Sequence, residues 1–169
     1  MATSLRVSMP FRSIYYAPLF VAYHLGAFAD EGLDVTIEPS PPGGVSEGLM
    51  DGSLDVAVGG PMRGLQLADA RVGKTLVSFI MVNARSGFFL LSRRPLPNFT
   101  WADMKDKVLI EFGEAPTPWF CLQHTLKRHG VDPSAVTVSR HLDSLEALER
   151  FRGGYGDFIE QPMPIATTS

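Results

Sequence analysis

The sequence predicts an α/β protein of two lobes, each a mostly parallel sheet with helices on its faces. Three observations carry this. Strand-like and helix-like periodicities alternate along the whole chain. Its 169 residues suffice for one ordinary domain or two small lobes, but not for two full domains. Apolar residues make up 45% and charged residues 20%, the balance of a chain that packs a core.

Leu5, Val7 and Met9 alternate with polar residues, the period of a half-buried strand, and Pro10 ends it. Leu19, Phe20, Tyr23, Ala27 and Phe28 recur at helical spacing, predicting a helix over 16–31 with Pro18 in its first turn and Gly32 beyond its end. Residues 34–38 return to period two, which completes a β-α-β unit. A turn-rich loop, Pro39 to Gly44, precedes a predicted helix over 45–51, a strand over 54–58 and a helix over 62–70. Two apolar runs, 75–82 and 87–91, look like strands carrying the chain from one lobe to the other, which places lobe one at 1–85 and lobe two at 86–169. A second cycle follows: helix 101–105, strand 108–112, helix 119–129, strand 136–139, helix 144–150 and strand 157–160.

Charge argues against a nucleic-acid partner. Residues 1–85 hold six basic and eight acidic side chains, and 86–169 hold nine and ten, so neither lobe has the basic excess that a phosphate backbone demands. A single cysteine, Cys121, excludes an internal disulfide. The first residues enter a strand pattern at once, without the apolar stretch of a secretory signal, so the expectation is a signal removed or replaced, or a cytosolic protein.

Several stretches carry a family likeness. Tyr16-Ala17-Pro18-Leu19-Phe20-Val21-Ala22, then Gly26-Ala27-Phe28-Ala29-Asp30-Glu31-Gly32-Leu33-Asp34-Val35, resembles the opening of periplasmic binding proteins for thiamine pyrimidine precursors, aliphatic sulfonates, taurine and nitrate. Gly43-Gly44 and Leu49-Met50-Asp51-Gly52-Ser53-Leu54-Asp55-Val56-Ala57 continue it, and Trp101 to Val108, His129 to Pro133 and Phe151 to Asp157 extend it into lobe two. The resemblance implies a type II periplasmic-binding-protein fold, a small-molecule ligand held between lobes and handed to the permease of an ABC importer, and an extracytoplasmic location. Members are usually about twice as long and return from the second lobe to complete the first. The resemblance therefore implies a truncated member whose uncovered surfaces favour self-association.

Candidate ligand-binding residues follow the carboxyl ends of the predicted strands, where parallel sheets open towards ligands. In lobe one these are Arg12, Tyr15 and Tyr16, whose rings could stack on a flat ligand or simply pack on the sheet, and the pairs Gly43-Gly44 and Gly59-Gly60, which let backbone N–H groups approach closely or form ordinary turns. In lobe two they are Glu114, for an amino group; Thr117, as helix cap and ligand donor; Trp119, for stacking or as a core ring; and Glu160, for a cationic or amine-bearing group or as a solvated strand end. Asp157 is expected to be structural.

No cofactor or metal is expected: His24, His124, His129 and His141 show no ligand spacing. Nor is an enzyme, since no Gly-x-Ser-x-Gly elbow is present and Cys121 is expected to be buried in a helix. The alternative is a cytosolic biosynthetic enzyme on the same fold, of the thiamine-pyrimidine or menaquinone pathway, although the cysteine-rich motif of the first group is absent. The aromatic residues and two carboxylates favour a flat heteroaromatic ligand of the thiamine-precursor type.

Overall fold

The computed structural model describes residues 2–41, 43–71, 73, 76–140, 142–163 and 165–167. They form two compact units, Met1–Ser86 and Gly87–Ser169. Pro42 in the predicted loop, Thr75 at the start of a predicted strand and His141 lie outside the described residues. No described helix is long and apolar enough to cross a membrane.

The first unit runs β1 (Thr3–Met9), α1 (Ala17–His24), α2 (Ala27–Asp30), β2 (Leu33–Pro39), α3 (Gly44–Asp51), β3 (Val56–Ala57) and α4 (Met62–Asp69). Its sheet has the order β2-β1-β3, with both pairings parallel. Val7 and Met9 turn into the core, at 6% and 1% exposure, as their alternation requires. Ser8 between them is also buried; its hydroxyl donates to the Glu38 carbonyl at 2.8 Å and lies 2.6 Å from the Ser40 hydroxyl. Arg6 and Asp55 form an ion pair at 2.9 Å that fastens β1 to the entry of β3, and this contact holds the Asp55 carboxyl down to about 2.

Three expectations need correction here. The helix predicted over 16–31 is a 3-10 turn, Ile14–Tyr16, followed by α1 and α2. Gly26 separates the two helices at φ 79°, a left-handed conformation that glycine adopts without a Cβ clash and that ends the first helical run. The strand predicted over 54–58 shrinks to Val56–Ala57. The described part of the run 75–82 forms no strand, and Val77, Phe79, Ile80 and Met81 are all more than two-thirds exposed. Apolar sequence favours a strand only where a neighbouring strand supplies its backbone hydrogen bonds, and this run has no ladder partner among the described residues.

The second unit runs β4 (Phe88–Ser92), β5 (Val108–Ile110), α5 (Pro116–Arg128), β6 (Thr137–Ser139), α6 (Ser144–Arg152) and β7 (Phe158–Pro162), with 3-10 turns at Trp101–Met104, Pro133–Ala135 and Ile165–Thr167. The order is β4-β7-β5-β6; β7, β5 and β6 are mutually parallel and β4 joins the edge antiparallel. Alternation along β5 and β7 divides the core. Leu109 and Phe158 face Trp119, Leu122 and Leu126 of α5, while Ile110 and Ile159 face Ala147 and Phe151 of α6. Asp143 caps α6, its carboxylate accepting from the Leu145 and Glu146 amides at 2.9 and 2.8 Å. Asp157 is structural as expected: its carboxylate accepts from the Val108 amide at 2.9 Å and ties β7 to β5.

Candidate functional site

Because β1, β2 and β3 are parallel, the segments that follow them leave the sheet at one edge. Arg12, Tyr15 and Tyr16 follow β1, Gly43 and Gly44 follow β2, and Gly59 and Gly60 follow β3, so all seven predicted residues of this unit lie at that edge. Their environments differ. Arg12 is exposed, whereas Tyr16 is buried with its ring 5.6 Å from Phe11. Tyr15 is half-buried, and its carbonyl accepts from the Asn83 side chain at 2.5 Å. Gly43 is the N-cap of α3 at φ 83°, a conformation that suits glycine. At Gly44 an added Cβ would stand 3.0 Å from Pro41, while at Gly59 it would reach only Pro10, at 4.0 Å. Glycine at 44 is therefore required by packing within its own loop.

A residue at this edge escaped the sequence reasoning. Arg63, in the first turn of α4, donates to the Ser46 hydroxyl of α3 at 3.3 Å, and burial pushes its guanidinium pKa down against an opposing pull from Tyr16. A cation in the first turn of a helix opposes the helix dipole, so Arg63 stands where an anion would be welcomed. A single arginine in a helical stretch carries no sequence pattern that would have singled it out.

The second unit gathers its polar groups at the carboxyl ends of β5, β6 and β7. Ile110 pairs with Ile159 and with Ser139, so the next row across the sheet brings Glu160, Glu111 and Arg140 side by side on the face covered by α5. Glu160 and Glu111 are buried, at 7% and 9% exposure. Burial, with the negative charge of Glu111 alongside, pushes the Glu160 carboxyl up to about 8. Arg140 approaches Glu111 at 3.7 Å and its guanidinium lies 5.2 Å from the centre of the Trp119 ring. On the opposite face Gln161 is wholly buried, and neither amide atom has a hydrogen-bond partner among the described residues; the same holds for Glu160 Oε2 and for the buried Thr117 Oγ1.

Particular readings of this unit change. The residue at the N-cap of α5 is Ala115, without a side-chain cap, so Thr117 lies inside the first turn and does not cap it. Glu114 is engaged within the chain, accepting from the Ser144 amide at 2.9 Å and its hydroxyl at 2.6 Å at the start of α6. Trp119 belongs to the apolar core on the α5 face, at 7% exposure. Cys121, expected to be buried, is exposed on α5. Among the described residues no group of three or more His, Cys, Asp or Glu is placed to hold a metal ion. Glu111 was hidden inside the apolar run 108–112; the one available clue was a carboxylate interrupting that run.

Comparison with known proteins places this arrangement in context. The family described as "NMT1/THI5 like" matches residues 13–150. A protein of Bacillus subtilis (strain 168), YtlA, named as a candidate binding protein, is 25% identical over 98% of this chain and 50% of its own length. A solved protein of Bordetella bronchiseptica RB50 superposes with a TM-score of 0.74 at 26% identity, over 98% of this chain and 53% of that one. The alkanesulfonate-binding protein SsuA of Xanthomonas axonopodis pv. citri, bound to MOPS, has a TM-score of 0.67 at 17% identity, over 98% of this chain and 56% of that one. The chain thus spans about half the length of these proteins.

Proposed function

The chain belongs to the NMT1/THI5-like family, and from that premise we propose that it is the solute-binding part of an ABC importer, holding a small molecule without changing it chemically. Its fold is the α/β architecture of type II periplasmic binding proteins. The observation that carries the reading is Glu160, a carboxyl 7% exposed on β7, one residue beyond the last pair of the parallel β5–β7 ladder, on the side of the sheet where α/β proteins receive ligands. A carboxyl so placed is unfavourable unless a bound group repays its desolvation.

The favoured ligand is a flat heteroaromatic molecule of the thiamine-pyrimidine type. Within the second unit the buried carboxyls Glu160 and Glu111 suit the N–H donors of such a ligand. The partner is a membrane permease and the location extracytoplasmic, as for other solute-binding proteins. Arg63, half-buried at the strand ends of the first unit, favours a second reading in which the ligand carries an anionic group.

A thermal-shift screen of aminopyrimidines, alkanesulfonates, taurine and nitrate tests the proposal. Ligand binding to the folded state raises the melting temperature, by roughly 3 kcal/mol of added stability at a hundredfold excess over Kd. The expected result is a shift with an aminopyrimidine and none with nitrate. A shift with sulfonates alone would transfer the site to Arg63, and no shift with any small molecule would contradict solute binding.

A further inference from the structure

Gln161 is the polar side chain least served by its surroundings. It lies on β7, is wholly buried, and neither its amide nitrogen nor its amide oxygen meets a hydrogen-bond partner among the described residues. Burying a carboxamide in this state is costly, because the donor and the acceptor both lose water without compensation. Apolar side chains occupy the same face of the sheet at no such cost: Ile159, two residues earlier on β7, and Ile110 on β5 are wholly buried against α6. A chain selected only for stability would place a leucine or methionine here. A buried donor and acceptor without partners, near the end of a strand in a parallel sheet, are what a ligand-recognition point supplies.

We propose that Gln161 is a specificity-determining residue of the strand-end site, reading a planar, uncharged ligand group that presents an N–H donor beside a hydrogen-bond acceptor. Aminopyrimidines and primary amides present such an edge. The carboxamide offers the mirror arrangement, oxygen to the donor and N–H to the acceptor, and so forms two hydrogen bonds at once. Acceptor-only groups such as sulfonate or nitrate leave the Gln161 oxygen unpaired and approach a strand end whose other face carries Glu160 and Glu111. Sites that hydrogen-bond a ligand group discriminate strongly against analogues lacking it, because their own buried polar atoms are then left unmatched. The inference rests on the solute-binding reading and sharpens its ligand.

The test compares the wild-type chain with Gln161→Leu, using calorimetry with 4-amino-5-hydroxymethyl-2-methylpyrimidine and with its analogue carrying methyl in place of the amino group, and melting of each protein without ligand. Recognition by Gln161 predicts that the variant melts at or above the wild-type temperature, binds the amino compound at least tenfold more weakly, and binds the methyl analogue as the wild type does. Equal affinity of both proteins for the amino compound overturns the inference and leaves solute binding standing. So does a variant that melts well below the wild type with its affinity unchanged, since Gln161 would then be structural. A wild-type chain that binds alkanesulfonates and no aminopyrimidine overturns both the inference and the favoured ligand, while a chain that binds neither class overturns solute binding as well.

Discussion

Replacing Glu160 by glutamine is expected to stabilise the chain in alkaline solution and to leave it nearly unchanged in acid. The folded chain holds the Glu160 proton up to about pH 8, because the carboxyl is buried and lies beside Glu111, whereas the unfolded chain releases it near the ordinary value of 4.5. A carboxyl raised in this way contributes stability that is complete below the unfolded pKa and is lost as pH rises through the folded one. At about 1.4 kcal/mol per pH unit, the loss reaches a few kcal/mol above pH 8. Glutamine does not titrate, so Glu160→Gln should melt several degrees above the wild type at pH 8.5 and close to it at pH 4.5. Parallel melting curves across this range check the effect; a constant difference at every pH would mean that Glu160 carries no displaced titration.

The second large effect is on the core that supports the site. Leu126 is wholly buried in the cluster formed by α5 with Leu109 and Phe158, and its removal leaves a void that a close-packed interior fills only in part. Leu126→Ala should cost about 2–5 kcal/mol, measured as a lowered urea midpoint with an unchanged slope. Because α5 covers the face that carries Glu160 and Glu111, the variant should also weaken ligand binding through lost support. A cost below about 0.5 kcal/mol, the scale of ordinary surface substitutions, would show that α5 is not held to the sheet by this cluster.

Much of the architecture was legible because it rests on local periodicity. Val7 and Met9 disclose β1 by alternation, the apolar spacing from Trp119 onward discloses α5, although the helix begins three residues earlier at Pro116, and Gly52 follows the end of α3 at φ 84°. What failed depended on distant partners. The run 76–82 is apolar enough for a strand, yet strand formation is decided by a neighbour that periodicity cannot name. Gly26 breaks a helix that its flanking residues would continue, since a glycine tolerated within a helix and one that ends it look alike in sequence.

The site divides along the same line. The last predicted strand ended at Glu160, whereas β7 runs on to Pro162; the burial and raised pKa of Glu160 depend on Glu111, which comes alongside only through the pairing of β5 with β7. Glu114 stood on a promising loop, and its use by Ser144, thirty residues further on, could be seen only in three dimensions. Gln161 was passed over because a glutamine at a strand end is ordinary until both amide atoms prove to be buried without partners. These residues are conspicuous for unmet hydrogen-bonding capacity, a property of packing that composition does not record.

The measurement that bears most directly on the central claim is equilibrium dialysis of the chain against the small molecule giving the largest thermal shift, followed by mass spectrometry of the retained material. A binding protein predicts saturable retention approaching one ligand per chain, with the molecule recovered at its original mass after denaturation. Recovery of an altered product, in an amount that grows with incubation time, would contradict that claim and make the chain an enzyme.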